Sequence, residues 1–186
     1  MWPSVVITVD WRGPHPIVDA FDPNSSPALG ADWPGVYLHV TRDDAANVLA
    51  SYVGKHQLSV IYRQTEHFAN YCSGQYHLYD GSGSQTFKGG SPLPNNFETL
   101  LIDHLSLTEI YFGSLDKKPA HTWADYTESL LQRSPVWRSR GGRILNFQNA
   151  PAMYEMFGRF EVVHSGPGDR FFGTSTAWDR TTRTVT

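Results

Sequence analysis

Five side chains that are able to bind or hydrolyse a phosphate ester lie close together in this 186-residue chain. They are Tyr37, Tyr52, Lys55, Arg63 and His67. Lysine and arginine carry positive charge, tyrosine donates hydrogen bonds, and histidine exchanges protons near neutral pH. Arg63 and His67 are four residues apart, which places both on one face of a helix. Together, these residue types indicate a site for a phosphate.

A hairpin followed by a helix would position these groups. The runs GVYLHV and ANVLASYVGK are rich in β-branched and aromatic residues, and the polar run TRDDAAN separates them, which predicts two strands joined by a loop. After Gly54 the apolar residues recur at helical spacing. We expect this helix to bury one stripe of side chains, with Arg63 and His67 on the opposite face. The stripe consists of Leu58, Ile61, Tyr62, Thr65 and Phe68.

A second strand and helix carry a carboxylate. The pattern predicts a strand at residues 106–115 and a helix at residues 121–133. Thr122 and Asp125 have the spacing of a capping pair at the start of this helix. Glu128 stands apart from most of the apolar residues of the helix, so its carboxylate is a candidate functional group.

The order of these motifs resembles the GIY-YIG nuclease family. The family includes the N-terminal nuclease of the bacterial excision-repair enzyme, some homing endonucleases and some type II restriction endonucleases. The matching residues are Gly35-Val36-Tyr37, Tyr52-Val53-Gly54-Lys55, Arg63 and His67. Each tripeptide alone arises often by chance, whereas the order and spacing of the set are more specific. The resemblance implies a metal-dependent DNA endonuclease of the restriction, repair or defence type.

The resemblance also implies a role for each reactive side chain. Glu128 would bind a single divalent metal, Mg²⁺ with Mn²⁺ as a substitute, and Glu109 is the spare candidate for this role. Tyr37 would be the general base, and His67 would accept or relay its proton. A free tyrosine has a pKa of about 10, so nearby cations would have to lower the pKa of Tyr37.

Other side chains would hold the phosphate and the attacking water. Arg63 would grip two phosphoryl oxygens, Lys55 would supply a second cation, and Tyr52 would orient the water or the phosphate. Members of the family also carry an asparagine after the metal-binding helix. Asn146 is favoured over Asn149 for this role, at a longer spacing from the helix than the family usually has.

An arginine-rich segment follows the same helix. It would contact the phosphate backbone of a nucleic acid, and the alternative is a solvated basic loop. The candidate nucleic-acid-binding residues are Arg133, Arg138, Arg140 and Arg143. Residues 72–98 and 133–149 are the candidate loops for reading a specific site.

These elements predict a compact α/β domain of the α+β type. We expect a small three-stranded mixed or antiparallel sheet flanked by helices, with extra strands at the N- and C-termini. One domain would span residues 1–186. Its GIY-YIG-like nuclease core would span residues 33–150, and residues 1–32 and 151–186 would be flanking extensions.

Composition limits the setting and the partners. The net charge of −3 argues against indiscriminate binding of nucleic acid but permits a local basic groove. Cys72 is the only cysteine, which favours a reducing compartment and predicts a cytoplasmic protein. No stretch approaches transmembrane length, so no membrane partner is expected.

A second class of function stays open beside the enzyme. The chain could instead be a catalytically inactive or partner-dependent nucleic-acid-binding module of a larger DNA-processing assembly. No second DNA-reading domain is visible in the sequence, so loops, a homodimer or a protein partner would have to supply specificity. The choice of DNA over RNA follows from the resemblance alone.

Overall fold

The computed structural model describes residues 2–22, 24–25, 30–145 and 152–186. The strands are β1 Ser4–Pro16, β2 Gly35–Arg42, β3 Val48–His56, β4 Leu78–Tyr79, β5 Gln85–Phe87, β6 Thr108–Leu115, β7 Arg143–Ile144, β8 Arg159–Ser165, β9 Ser175–Asp179 and β10 Thr184–Val185. The α-helices are α1 Ile17–Phe21, α2 Val60–Cys72, α3 Phe97–Ser106, α4 Ala120–Leu131, α5 Pro135–Arg140 and α6 Asp169–Phe172. Short 3-10 helices span Met153–Met156 and Gly166–Gly168.

Within the described residues, eight strands form one mixed sheet in the order β10-β9-β8-β1-β6-β2-β3-β7. β2 pairs antiparallel with both β3 and β6. β1 pairs antiparallel with β6 and parallel with β8. β7 runs parallel to β3 at one edge, and β9 and β10 extend the other edge in antiparallel pairing. β4 and β5 form a separate two-stranded sheet.

The long strand β1 holds the two halves of the sheet together. Val5, Ile7, Val9 and Trp11 are buried, and the residues between them are exposed or partly exposed. This period of two is typical of a strand that buries one face. Because both edges of β1 are paired, it lies inside the sheet and not at its edge.

The predicted small three-stranded sheet flanked by helices is wrong. β3, β2 and β6 do pair as neighbours, but they belong to a large curled sheet of eight strands in an α/β fold. The physical reason is the register of β1, in which Val9 pairs with Leu115 of β6 and also with His164 of β8. The strands near the two termini are therefore integral parts of the sheet and not extensions of a separate core.

β2 is buried on both faces, and its two faces belong to different cores. Val36, Leu38 and Val40 lie in a core with the apolar residues of α4. Tyr37 lies in a second core with apolar residues of α2 and α3. Alternate residues of this strand therefore meet different layers of the protein.

The predicted buried stripe of the first long helix is also wrong. Leu58, Tyr62 and Phe68 are 77%, 59% and 42% exposed. The helix begins after Ser59, whose hydroxyl accepts a hydrogen bond from the Tyr62 amide. The residues that α2 does bury are Val60, Gln64, His67 and Tyr71. Two of these four are polar, so the hydropathy pattern indicated the wrong face.

Other local predictions are confirmed. β2 and β3 form the predicted hairpin, β6 lies within the predicted strand, and α4 lies close to the bounds of the predicted helix. The predicted capping pair is wrong, because α4 begins at Ala120 after Pro119 and no side chain caps it. Among the helices described, none is long and apolar enough to cross a membrane.

A buried histidine in β8 makes folding sensitive to acid. Trp11 donates its indole N–H to His164 Nδ1 at 3.2 Å, and burial lowers the pKa of His164 to about 4. The unfolded chain has a histidine pKa of about 6.5, so it binds this proton first as the pH falls. Stability from this group is therefore complete above pH 6.5 and is lost progressively towards pH 4.

We expect His164→Gln to weaken this pH dependence. Between pH 7.5 and pH 5, His164 alone accounts for a loss of about 2 kcal/mol in the free energy of unfolding. The amide oxygen of glutamine can still accept from Trp11 but does not titrate. Urea denaturation at the two pH values measures the difference, and exposed His121→Gln is the matched control. An equal pH dependence in wild type and His164→Gln would contradict the assignment.

Candidate active site

In the hairpin of β2 and β3, the Tyr37 side chain packs against Gly54. Tyr37 pairs with Gly54 across the two strands and is fully buried. A Cβ atom at position 54 would overlap the Tyr37 phenol and would lie 2.7 Å from the Tyr52 ring. Glycine is therefore the residue that leaves room for the tyrosine at this point of the hairpin.

Helix α2 places His67 directly behind Tyr37. The Tyr37 hydroxyl lies 2.7 Å from His67 Nε2, and the other ring nitrogen, Nδ1, lies 2.8 Å from the Tyr76 hydroxyl. The Asn70 amide also donates to Tyr76, at 3.1 Å. These contacts join the sheet, the helix and the segment that follows the helix into one buried polar chain.

Burial keeps Tyr37 and His67 neutral. It lowers the pKa of His67 to about 2, with smaller contributions from His39 and Arg63. It also raises the pKa of Tyr37 well above 10, and Tyr52 adds to this effect while Arg63 opposes it. A neutral histidine has one N–H and one bare nitrogen. When Tyr37 donates to Nε2, the Nδ1–H donates to Tyr76, and every group in the chain is used.

An open cleft of about 510 Å³ lies in front of Tyr37. Strands β2 and β3, helices α2 and α4, and the segment between β3 and α2 all contribute side chains to it. Its lining consists of Tyr37, Tyr52, Lys55, His56, Gln57, Leu58, Arg63, Glu66 and Glu128. Five of the predicted catalytic residues therefore share one cleft, and His67 lies behind it.

Both cations of the cleft are paired with carboxylates. Arg63 forms an ion pair with Glu66 one turn further along α2. Lys55 forms an ion pair with Asp125 of α4. The four side chains are partly exposed, so a bound anion could replace either carboxylate without opening the core. The cleft can therefore present two positive charges to a phosphate.

Glu128 extends from α4 into the same cleft and is the candidate metal ligand. Burial raises the pKa of its carboxyl to about 7, with Lys55 opposing the shift and Asp125 adding to it. The Gln132 amide donates to Glu128 Oε1 at 3.2 Å, and to the Val53 carbonyl at 3.3 Å. Gln132 therefore links one oxygen of the Glu128 carboxylate to the backbone of β3 through its amide group.

The surroundings of Glu128 fit a magnesium ion. A divalent cation would offset the cost of burying the Glu128 carboxylate, which the raised pKa reports. Within the described residues, no group of three or more His, Cys, Asp or Glu is arranged to hold a metal. Magnesium commonly uses one or two carboxylates and takes its remaining ligands from water and phosphate oxygens.

The four predicted nucleic-acid-binding arginines do not line the cleft. Arg133 donates to the Ser129 carbonyl at 3.0 Å and lies over the Tyr154 ring. Arg140 donates to the Arg170 carbonyl at 3.1 Å. Exposed Arg138 lies in the last turn of α5, and Arg143 of β7 lies over the Tyr79 ring.

Two further predictions concern carboxylate and amide ligands. Glu109, the spare metal ligand, forms an ion pair with Arg42 at 2.8 Å and is not part of the cleft. Asn146, the predicted asparagine of the site, lies outside the described residues.

Sequence reasoning missed the residues that support the reactive ones. Tyr76 holds His67, Asn70 holds Tyr76, and Gln132 holds Glu128. Gln132 is four residues after Glu128 on one helix, so helical spacing alone would have brought this pair together. Tyr76 follows the end of α2, and no spacing rule predicts its contact with His67.

Comparison of the chain with protein-family models, with curated proteins and with solved structures finds no match. The assignment of function therefore depends on the chemistry of the cleft and of the buried chain behind it.

We expect Gly54→Ala to displace Tyr37 and to break its hydrogen bond to His67. The new methyl group overlaps the phenol, and overpacking of this kind costs about 1–3 kcal/mol of stability. Urea denaturation measures the loss. The matched control repeats Gly54→Ala in a Tyr37→Leu background, where we expect a smaller loss because the phenol is absent. Equal losses in both backgrounds would mean that Gly54 does not act through Tyr37.

Proposed function

We propose that this protein is a metal-dependent endonuclease that hydrolyses phosphodiester bonds of DNA. The observation that supports this best is the single cleft shared by Tyr37, Tyr52, Lys55, Arg63 and Glu128. The first four lie within residues 37–63 and Glu128 lies 65 residues beyond Arg63, and the five come from two strands and two helices. Four of them carry the resemblance to the GIY-YIG nuclease family, and the resemblance implies the role of Glu128.

Two cations of the cleft would bind the phosphate. Arg63 has a planar guanidinium group that can donate to two phosphoryl oxygens at once, and Lys55 adds a point charge. Binding would exchange their ion pairs with Glu66 and Asp125 for contacts with the phosphate. Charge that develops on the phosphoryl oxygens would then be stabilised by groups already in place.

Glu128 would hold the metal in this cleft. A bound Mg²⁺, with Mn²⁺ as a substitute, would neutralise charge on the phosphoryl and leaving oxygens. Gln132 would hold one oxygen of the Glu128 carboxylate in place and leave the other oxygen to bind the ion. Tyr52, which also lines the cleft, would orient the attacking water.

The buried chain behind Tyr37 supplies a route for the proton. Tyr37 keeps its proton in the free protein, because burial raises its pKa. Tyr37 Oη would take the proton of the attacking water while its own proton moves to His67 Nε2. An imidazolium at this position is disfavoured by burial, so the Nδ1 proton would move to the Tyr76 oxygen while Tyr76, which is partly exposed, releases its own hydroxyl proton to water. Neither tyrosine nor histidine then has to carry a charge.

DNA is the proposed substrate, and a reducing cytoplasmic setting is the proposed location. The one cysteine of the sequence, Cys72, is free and exposed, which suits such a setting. Specificity would come from loops beside the cleft, from a homodimer or from a protein partner.

We expect Glu128→Gln to abolish metal-dependent cleavage. The neutral amide is a poor magnesium ligand, and loss of charge stabilisation worth several kcal/mol lowers the rate by at least about 100-fold. Nicking and linearisation of supercoiled plasmid in Mg²⁺, Mn²⁺ and EDTA measure the effect, and calorimetry measures Mg²⁺ affinity. Exposed Glu98→Gln of α3 is the matched control. A wild type that shifts DNA on a gel but cuts nothing would instead favour the nucleic-acid-binding module.

We expect Tyr37→Phe to lower kcat by about 100-fold or more with little change in KM, because it removes the group that takes the proton. Tyr76→Phe interrupts the chain one step later, and we expect a loss of at least about tenfold. Steady-state cleavage of a labelled oligonucleotide gives both constants. Tyr62→Phe, on the exposed face of α2, is the control. Full kcat in Tyr37→Phe would exclude the proposed proton route.

A further inference from the structure

A second cavity lies on the other side of Tyr52 from the cleft. Its volume is about 140 Å³, and aromatic rings and histidines form much of its wall. Tyr71 and Tyr76 meet edge to face there, with ring centroids 4.8 Å apart. Leu145, which is 41% exposed, lies at its edge. A cavity of about 150 Å³ is large enough to hold benzene, so this one admits a single six-membered ring.

The cavity offers a hydrogen-bond acceptor. His39 lines it, and His39 Nε2 lies 2.8 Å from Gln64 Oε1. The Gln64 amide nitrogen donates to the Val60 carbonyl, so Oε1 is the accepting atom and His39 Nε2 carries the proton. Burial lowers the pKa of His39 to about 4, which keeps the ring neutral. His39 Nδ1 is therefore a bare acceptor.

The cavity also offers a donor. His77 lines it, and His77 Nδ1 accepts a hydrogen bond from the Gly89 amide at 3.0 Å. Because Nδ1 accepts, Nε2 carries the ring proton, and Nε2 has no hydrogen-bond partner among the described residues. One donor, one acceptor and aromatic walls around a ring-sized space are the features that recognise the edge and the face of a nucleobase.

The cavity and the cleft are neighbours, because Tyr52 lines both of them. The ring of Tyr37, which lines the cleft, has its centroid 5.1 Å from that of His39, which lines the cavity. A nucleotide with its phosphate in the cleft would therefore have its base within reach of the cavity.

We propose that this cavity binds the pyrimidine base of the nucleotide adjoining the phosphodiester held in the cleft, turned out of its base stack. This inference rests on the proposed function, because the nucleic-acid substrate supplies the base. Turning a base out leaves a gap, and an apolar wedge commonly fills it. Leu58, which lines the cleft and is 77% exposed, is available for that position.

Binding of free nucleotides tests the cavity without any cleavage. Cytidine 5′-monophosphate added to protein with labelled histidines shifts the ring resonances of His39 and His77, and adenosine 5′-monophosphate binds at least about tenfold more weakly because its ring system is larger. Inorganic phosphate, the control for the cleft alone, leaves His77 unchanged. Leu145→Trp covers the cavity and His77→Phe removes the donor, so both reduce the cytidine 5′-monophosphate shift, while exposed His121→Phe does not.

Cleavage of oligonucleotides separates this inference from the proposed function. Duplexes that differ only in the base beside the cut are cleaved at least about tenfold faster with a pyrimidine there, and Leu145→Trp removes the preference. Equal rates for all bases, with no shift by cytidine 5′-monophosphate, overturn the base site and leave the nuclease standing. A shift by cytidine 5′-monophosphate without cleavage of any substrate overturns the nuclease and leaves the nucleotide site standing. If cytidine 5′-monophosphate shifts no histidine resonance and no substrate is cleaved, both the base site and the nuclease are overturned.

Discussion

The hydrogen bond between Tyr37 and His67 ties the central sheet to the helix that covers it. It forms because Gly54 leaves space beside the phenol on the neighbouring strand, and because α2 buries His67 on the same face as Val60 and Tyr71. A polar pair at this depth is tolerated only when its atoms are satisfied. Tyr76 satisfies the second nitrogen of His67, so the reactive chain also secures the packing of α2.

The local charge of the cleft differs from the net charge of the chain. The chain has a net charge of −3, but what a phosphate meets is the local field. Arg63 and Lys55 are each neutralised by a carboxylate on the same or a facing helix, which prevents repulsion between the two cations before a ligand binds. Among the described residues Glu128 forms no such ion pair, and burial raises the pKa of its carboxyl.

Much of the candidate site could be predicted from the sequence, and much of the fold could not. The hairpin and the helix of Glu128 depend on patterns within a few residues, so local reasoning found them. The pairing of Val9 with both Leu115 and His164 depends on contacts across more than half of the chain, and no local pattern contains it. The face of α2 was missed for another reason. Gln64 can be buried because both its amide oxygen and its amide nitrogen are hydrogen-bonded, a circumstance that hydropathy does not register.

The alternation of β2 gives its two faces different surroundings. Val36, Leu38 and Val40 face the core of α4, where apolar packing stabilises the sheet. Tyr37 and His39 face the opposite side, where one lines the cleft and the other lines the cavity. A strand has only two faces, so a shift of one residue in register would exchange these roles completely. The pairing of β2 with β3 and β6 on both edges fixes that register, and with it the positions of both sites.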